Sequence, residues 1–269
     1  VGKGTAPAAT LVFQAVEDYA DMYGFCASYP AGYYLLGIPD DLRQLFQQAY
    51  TAGARIHSNS WGSDAKGDYT LDSANTDDFV WQHKDMTVTF SAGNAGPNSG
   101  TVGSPATAKN VIAVGASEND RQGHYECDST AYPGCQNAPG DRAGNPEQMA
   151  DFSSRGPTDD GRIKPDVVAP GTWVLSGYSD MYQQGYDSSP NPRNGEWQWL
   201  GWGYPLSSTY KYMGGTSMAN PLVAGGAAVV RDFYQKKHNH SASAALVKAT
   251  LINTAVDLLD ENNDGQNDN

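Results

Sequence analysis

The segment Gly214-Gly215-Thr216-Ser217-Met218-Ala219-Asn220-Pro221 places a hydroxyl where acyl-transfer chemistry can use one. Its glycines allow a tight turn, and Ser217 falls at the start of a long apolar run that reads as a helix. The positive end of a helix dipole and the partnerless first-turn N–H groups hold an anion there. Pro221 is expected to be tolerated as a first-turn residue. A second segment, Phe90-Ser91-Ala92-Gly93-Asn94-Ala95-Gly96-Pro97, runs from a strand-like stretch into a glycine-flanked Asn. At the carboxyl end of a parallel strand such an amide can donate to a developing oxyanion. Each segment also has an ordinary structural use, Ser217 as an N-cap and Gly93-Asn94 as a turn.

These groups need a frame, and the rest of the chain describes one. Leu11–Val16, Met86–Phe90 and Val111–Val114 are short apolar runs rich in β-branched residues, as in strands covered on both faces. Between the first two, Leu42, Leu45, Phe46 and Ala49 keep helical spacing, opened by Asp40-Asp41 and closed by Gly53. A second helix is expected over about 73–84, a long one from Ser217 to about Lys237, apolar all round and therefore buried, and another over about 243–258. Strands alternating with helices predict an α/β fold with a central parallel sheet and helices on both faces.

Composition narrows the partners. The 269 residues are 39% hydrophobic and 17% charged, enough apolar surface for a folded core, so a single domain over 1–269 is expected. The 17 Lys and Arg against 30 Asp and Glu give a net charge of −13, which repels nucleic acid and anionic lipid. No run reaches the roughly 18 apolar residues of a membrane helix. Two stretches look like loop insertions, 118–149 and the aromatic 177–212, the latter a rim for extended substrates or a cover for a sheet edge. Cys127 and Cys135 can pair in an oxidising compartment, and Cys26 reads as a buried free thiol or as paired outside the chain.

Taken together, Gly-Thr-Ser-Met-Ala-x-Pro and Ser-Ala-Gly-Asn-x-Gly resemble the subtilisin-like serine peptidases. Asn59-Ser60-Trp61-Gly62, Phe152–Pro157 and Lys164–Gly171 fit the same family, in the same order. The resemblance implies that Ser217 is the nucleophile and that Asn94 works with the Ser217 N–H as oxyanion hole. It implies that Ser60-Trp61-Gly62 and Ser91-Ala92-Gly93 wall the pocket for the residue preceding the scissile bond, with Thr216 beside them and Gly103 at the base. Glycine at 103 implies a roomy, mainly apolar pocket and broad specificity. The activity implied is endopeptidase cleavage of extracellular polypeptides by a secreted enzyme.

The family's Asp-Ser/Thr-Gly and His-Gly-Thr-His motifs do not occur in the sequence. Of the five histidines, His57 is expected to pack in the sheet, His83 to end a helix, His124 to lie in the first insertion, and His238 and His240 to follow the long helix. None is assigned as the base, so the chain reads as the C-terminal larger part of a peptidase domain. Asp and His would come from a missing N-terminal segment, together with the family's first sheet strand. By itself the chain is expected to be inactive or nearly so; the alternative is a non-catalytic peptide-binding module. At the other end, Asp260, Asn262, Asp264, Gly265 and Asp268 match positions 1, 3, 5, 6 and 9 of an EF-hand-type loop, which predicts a structural calcium ion.

Overall fold

The computed structural model describes residues 3–20, 23–28, 32–120, 143–177, 203–205 and 210–259. A small antiparallel pair, β1 (Asp18–Ala20) and β2 (Gly32–Tyr34), precedes the main sheet. Helix α1 (Leu42–Thr51) follows, its N-terminus capped by the Asp41 carboxylate, which accepts from the Arg43 N–H. Then come β3 (Ile56–Asn59), α2 (Leu71–Gln82), β4 (Thr87–Ser91), β5 (Ile112–Ser117) and β6 (Val167–Pro170). The chain continues through β7 (Val174–Gly177), β8 (Gly203–Pro205) and β9 (Tyr210–Met213) into α3 (Thr216–His238) and α4 (Ala244–Asn253).

Strands β3-β4-β5-β6 form a four-stranded parallel sheet, with Asn59 opposite Phe90, Phe90 opposite Ala113 and Val114 opposite Val167. Both faces are covered, so side chains alternate between two cores instead of between core and water. Val88, Phe90, Val111 and Ala113 face Phe46 and Phe79 of α1 and α2. Ile112, Val114 and Ala116 face Ala219, Val223 and Ala227 of α3 and Val247 of α4. The α/β fold with a parallel sheet and helices on both faces is therefore as the sequence implies. Strands β7-β9-β8 form a separate antiparallel sheet leading into α3.

Several expectations are corrected. Leu11–Val16 forms no strand; Leu11 and Phe13 are 87% and 90% exposed. An apolar, β-branched run becomes a strand only where a neighbour offers a ladder, and among the described residues β3 is the sheet's edge with nothing paired outside it. The run is tethered instead through Gln14, whose amide donates to the Leu45 carbonyl and to Gln48 Oε1. Helix α3 is buried over its first half only; Val229 and Phe233 are 52% and 50% exposed, because only one flank of the helix lies on the sheet. Helix α4 stops at Asn253, well before residue 258, where the Thr254 hydroxyl turns back to the Thr250 carbonyl and competes with continued helix. Cys26, in a short turn, is exposed rather than buried. Cys127, Cys135, His124 and most of both proposed insertions lie outside the described residues.

Candidate active site

Three chain segments converge at the carboxyl edge of the parallel sheet, where ligands of such sheets bind. Strand β3 delivers Ser60-Trp61-Gly62, β4 delivers Ala92-Gly93-Asn94, and α3 begins with Thr216-Ser217. The α3 start is fixed to the end of β3 by reciprocal bonds: Ser60 Oγ donates to the Ser217 carbonyl at 2.8 Å, and Ser217 Oγ donates to the Ser60 carbonyl at 3.2 Å. Pro221 makes the first of these possible. It lies in the second turn, so a residue with an N–H at 221 would bond the carbonyl four back, that of Ser217. Proline leaves that carbonyl to Ser60, which corrects its expected role as a passive first-turn residue. Buried Asn220 adds a third tie, its Nδ2 donating to Ser58 Oγ at 3.0 Å. The sequence showed no signal for that contact, since it joins residues 162 apart.

Asn94 is oriented by its acceptor atom. Its Oδ1 accepts from both the Thr216 N–H (2.9 Å) and the Thr216 hydroxyl (3.0 Å). With the oxygen held inward, the NH₂ group is the end left for a ligand. Thr216 is fully buried, and its hydroxyl also accepts from the Gly93 N–H at 3.3 Å. Thr216 thus positions Asn94 as well as lining the cleft. Ser154, which sequence reasoning missed, accepts from the Ala95 N–H at 3.0 Å and holds the same turn. Gly93 has φ +108°, and a Cβ there would lie 2.9 Å from Ser154 Oγ, so the turn requires glycine.

A cleft of about 380 Å³ opens between these segments, lined by Ser60, Trp61, Gly62, Ser91, Ala92, Gly93, Asn94, Gly103, Thr216 and Ser217 among others. Every residue expected at the nucleophile, the oxyanion hole and the pocket is thus brought to one place. Gly103 has a structural reason to lack a side chain, since a Cβ would sit 2.5 Å from the Ser63 carbonyl oxygen. The backbone groups of Ala92 and Gly93 bond inward, to Val114, Gly103, Ser154 and Thr216. Among the described residues, those of Trp61 and Gly62 carry no such bond and offer an edge for a peptide backbone.

No general base reaches Ser217 among the described residues. His57 Nε2 is 2.9 Å from Gln14 Oε1, and its ring packs edge-on against Phe46 at 5.0 Å. Burial lowers its pKa to about 4, so it is neutral. His83 stacks on Phe79. His238 is the last residue of α3 instead of following it, and His240 lies just beyond, both roughly 30 Å from Ser217 at 1.5 Å rise per residue. Asp260, Asn262, Asp264 and Asp268 lie outside the described residues, and among the described ones no group of three or more His, Cys, Asp or Glu could hold a metal ion.

The model of the subtilase family matches residues 37–269, most of the chain. The chain belongs to the subtilase family. It is 28% identical over 282 aligned positions to the serine protease/ABC transporter B family protein tagD of Dictyostelium discoideum, covering 81% of this chain and 15% of tagD. It is 36% identical over 118 positions to the minor extracellular protease Vpr of Bacillus subtilis, covering 42% of this chain and 11% of Vpr. The solved structure of sphericase is 26% identical, with a TM-score of 0.49, covering 79% of this chain and 53% of that one. The chain therefore spans a small part of the curated relatives it matches. Membership makes it a subtilase, from a family of serine peptidases, and the parallel sheet with helices on both faces is the architecture that family implies.

Proposed function

We propose that this subtilase carries the nucleophile, oxyanion hole and substrate cleft of a secreted serine endopeptidase acting on extracellular polypeptides. The observation that carries the reading is the joint placement of Ser217 and Asn94, with the Asn94 oxygen tied to Thr216 and its NH₂ left free beside the start of α3. In the reaction, Ser217 Oγ attacks the scissile carbonyl and its proton passes to a base. The carbonyl electron pair moves onto oxygen, where the Asn94 NH₂ and the Ser217 N–H hold the charge. Collapse forms the acyl-enzyme and expels the amine, which takes the proton; water then repeats the sequence and releases the acid. These donors act on the transition state more than on the ground state, because charge grows on the oxygen only during attack.

The base and its orienting carboxylate are, on this reading, a His and an Asp from a segment outside the 269 residues. A calcium ion bound through Asp260, Asn262, Asp264 and Asp268 is part of the same proposal; it rests on the alternate spacing of hard oxygen ligands and would be structural. Extracellular placement is supported by the net charge of −13, whose self-repulsion salt and calcium screen, and by the name of the relative Vpr.

One observation favours a second reading, a peptide-binding module without turnover: Ser217 Oγ donates to a backbone carbonyl and has no base among the described residues. A fluorophosphonate probe separates the two, applied to the chain alone and to the chain extended by whatever is encoded before Val1. Labelling at Ser217 in the extended protein, weakened by Asn94→Leu, is the expected result. Removing such a donor costs roughly 10²–10³ in turnover in subtilisin, a value adopted from that enzyme. Failure to label either form, with peptides still bound, establishes the binding module instead.

A further inference from the structure

We propose that this cleft selects a lysine or arginine side chain on the residue preceding the scissile bond, and that Asp64 is the residue that selects it. The inference rests on the peptide-cleaving reading of the same cleft. It replaces the broad apolar preference that glycine at 103 implies.

Asp64 is the one charged residue among those lining the cleft; the others are Gly, Ala, Ser, Thr, Asn and Trp. It is exposed, and among the described residues its carboxylate has no hydrogen bond and no ion pair. Lys66, two residues on, and Arg155, whose backbone bonds Thr101 on the cleft wall, form no ion pair with it either. The carboxylate is therefore available to a ligand.

The loop that presents it is tied down on both sides. Ser63 and Ser104 exchange backbone bonds at 2.8 and 3.0 Å, the Ala65 N–H bonds the Ser63 carbonyl at 2.9 Å, and the Gly67 N–H bonds the Val102 carbonyl at 2.8 Å. Little ordering is then left to be done when a ligand arrives. The cleft of about 380 Å³ has room for an aliphatic stem, and a cationic head at its end can reach the rim while staying partly in water. Arginine fits better than lysine, because its planar fork takes both carboxylate oxygens. Discrimination has a repulsive half. An apolar side chain that covers Asp64 removes water from an unpaired carboxylate, and an acidic one adds like charge in a protein already at −13.

The test uses the whole chain and three fluorescein-labelled peptides identical except for a C-terminal Arg, Leu or Glu, with binding read by anisotropy. The Arg peptide is expected to bind about three- to tenfold tighter than the Leu peptide at low salt and the Glu peptide weakest, the ratio shrinking in 0.5 M salt. Asp64→Asn, an isosteric change at an exposed site, should bring Arg and Leu within about twofold. Equal binding of Arg and Leu, an Arg preference that survives in Asp64→Asn, or no binding of any peptide overturns the proposal. An Arg preference that depends on Asp64, with Ser217 unlabelled by fluorophosphonate, upholds this inference and removes the catalytic reading. Labelling without an Arg preference does the reverse.

Discussion

Acidification should destabilise this protein through His57, and the size of the effect follows from its surroundings. The Gln14 amide nitrogen is committed to the Leu45 carbonyl and Gln48 Oε1, so Gln14 can offer His57 only its oxygen. His57 must then carry its proton on Nε2, leaving Nδ1 as a buried acceptor with no partner. A second proton would put a buried charge on the ring beside the edge of Phe46, a cost that the neighbouring Asn59 side chain offsets only in part. Burial is the leading cause and lowers the pKa to about 4, against an ordinary 6.5. The unfolded chain therefore takes up a proton first as pH falls, so stability is full above pH 6.5 and drains away between 6.5 and 4. The whole interval corresponds to about 3 kcal/mol, and because the residue keeps part of its surface in solvent we expect about 2 kcal/mol. The assay is urea unfolding at half-unit steps from pH 7 to 4, with His57→Phe subtracting the titration of the carboxylates. A pH slope unchanged in His57→Phe, or a His57 proton resonance titrating near 6.5, would refute the argument.

Three further outcomes follow from the site. Thr216→Val removes the hydroxyl that holds Asn94 Oδ1 and takes the partner from the half-buried Gly93 N–H; a loss of about 1–2 kcal/mol in urea unfolding and weaker fluorophosphonate labelling of the extended protein are expected. Gly103→Ala drives a methyl against the Ser63 carbonyl, so unfolding measurements should show about 1–3 kcal/mol of destabilisation, together with lower affinity for peptides of every sequence. Calcium at millimolar concentration should raise the thermal midpoint, and Asp264→Asn should abolish the rise; an unchanged midpoint removes the proposed ion.

The sequence determined a good deal locally. Helix α1 was legible because its cap, its Leu42, Leu45, Phe46, Ala49 stripe and its closing glycine lie within a dozen residues. Strands β4 and β5 and the start of α3 were legible for the same reason, and the two motifs around Ser217 and Asn94 carried the family. What the sequence could not determine depends on contacts between residues far apart in the chain. Leu11–Val16 has the composition of a strand but no ladder to join, and whether a ladder exists is decided by which strand lies beside β3, not by the run itself. The part played by Pro221 became visible only with Ser60 standing 157 residues earlier at the freed Ser217 carbonyl. Likewise, glycine at 103 suggested an open apolar pocket, whereas tertiary structure placed the Ser63 carbonyl against its missing Cβ and the Asp64 carboxylate on the cleft wall. Residue types and short spacings settle which local conformations and chemistries are possible; only packing settles which hydrogen-bond partners and charges meet around the Ser217 hydroxyl.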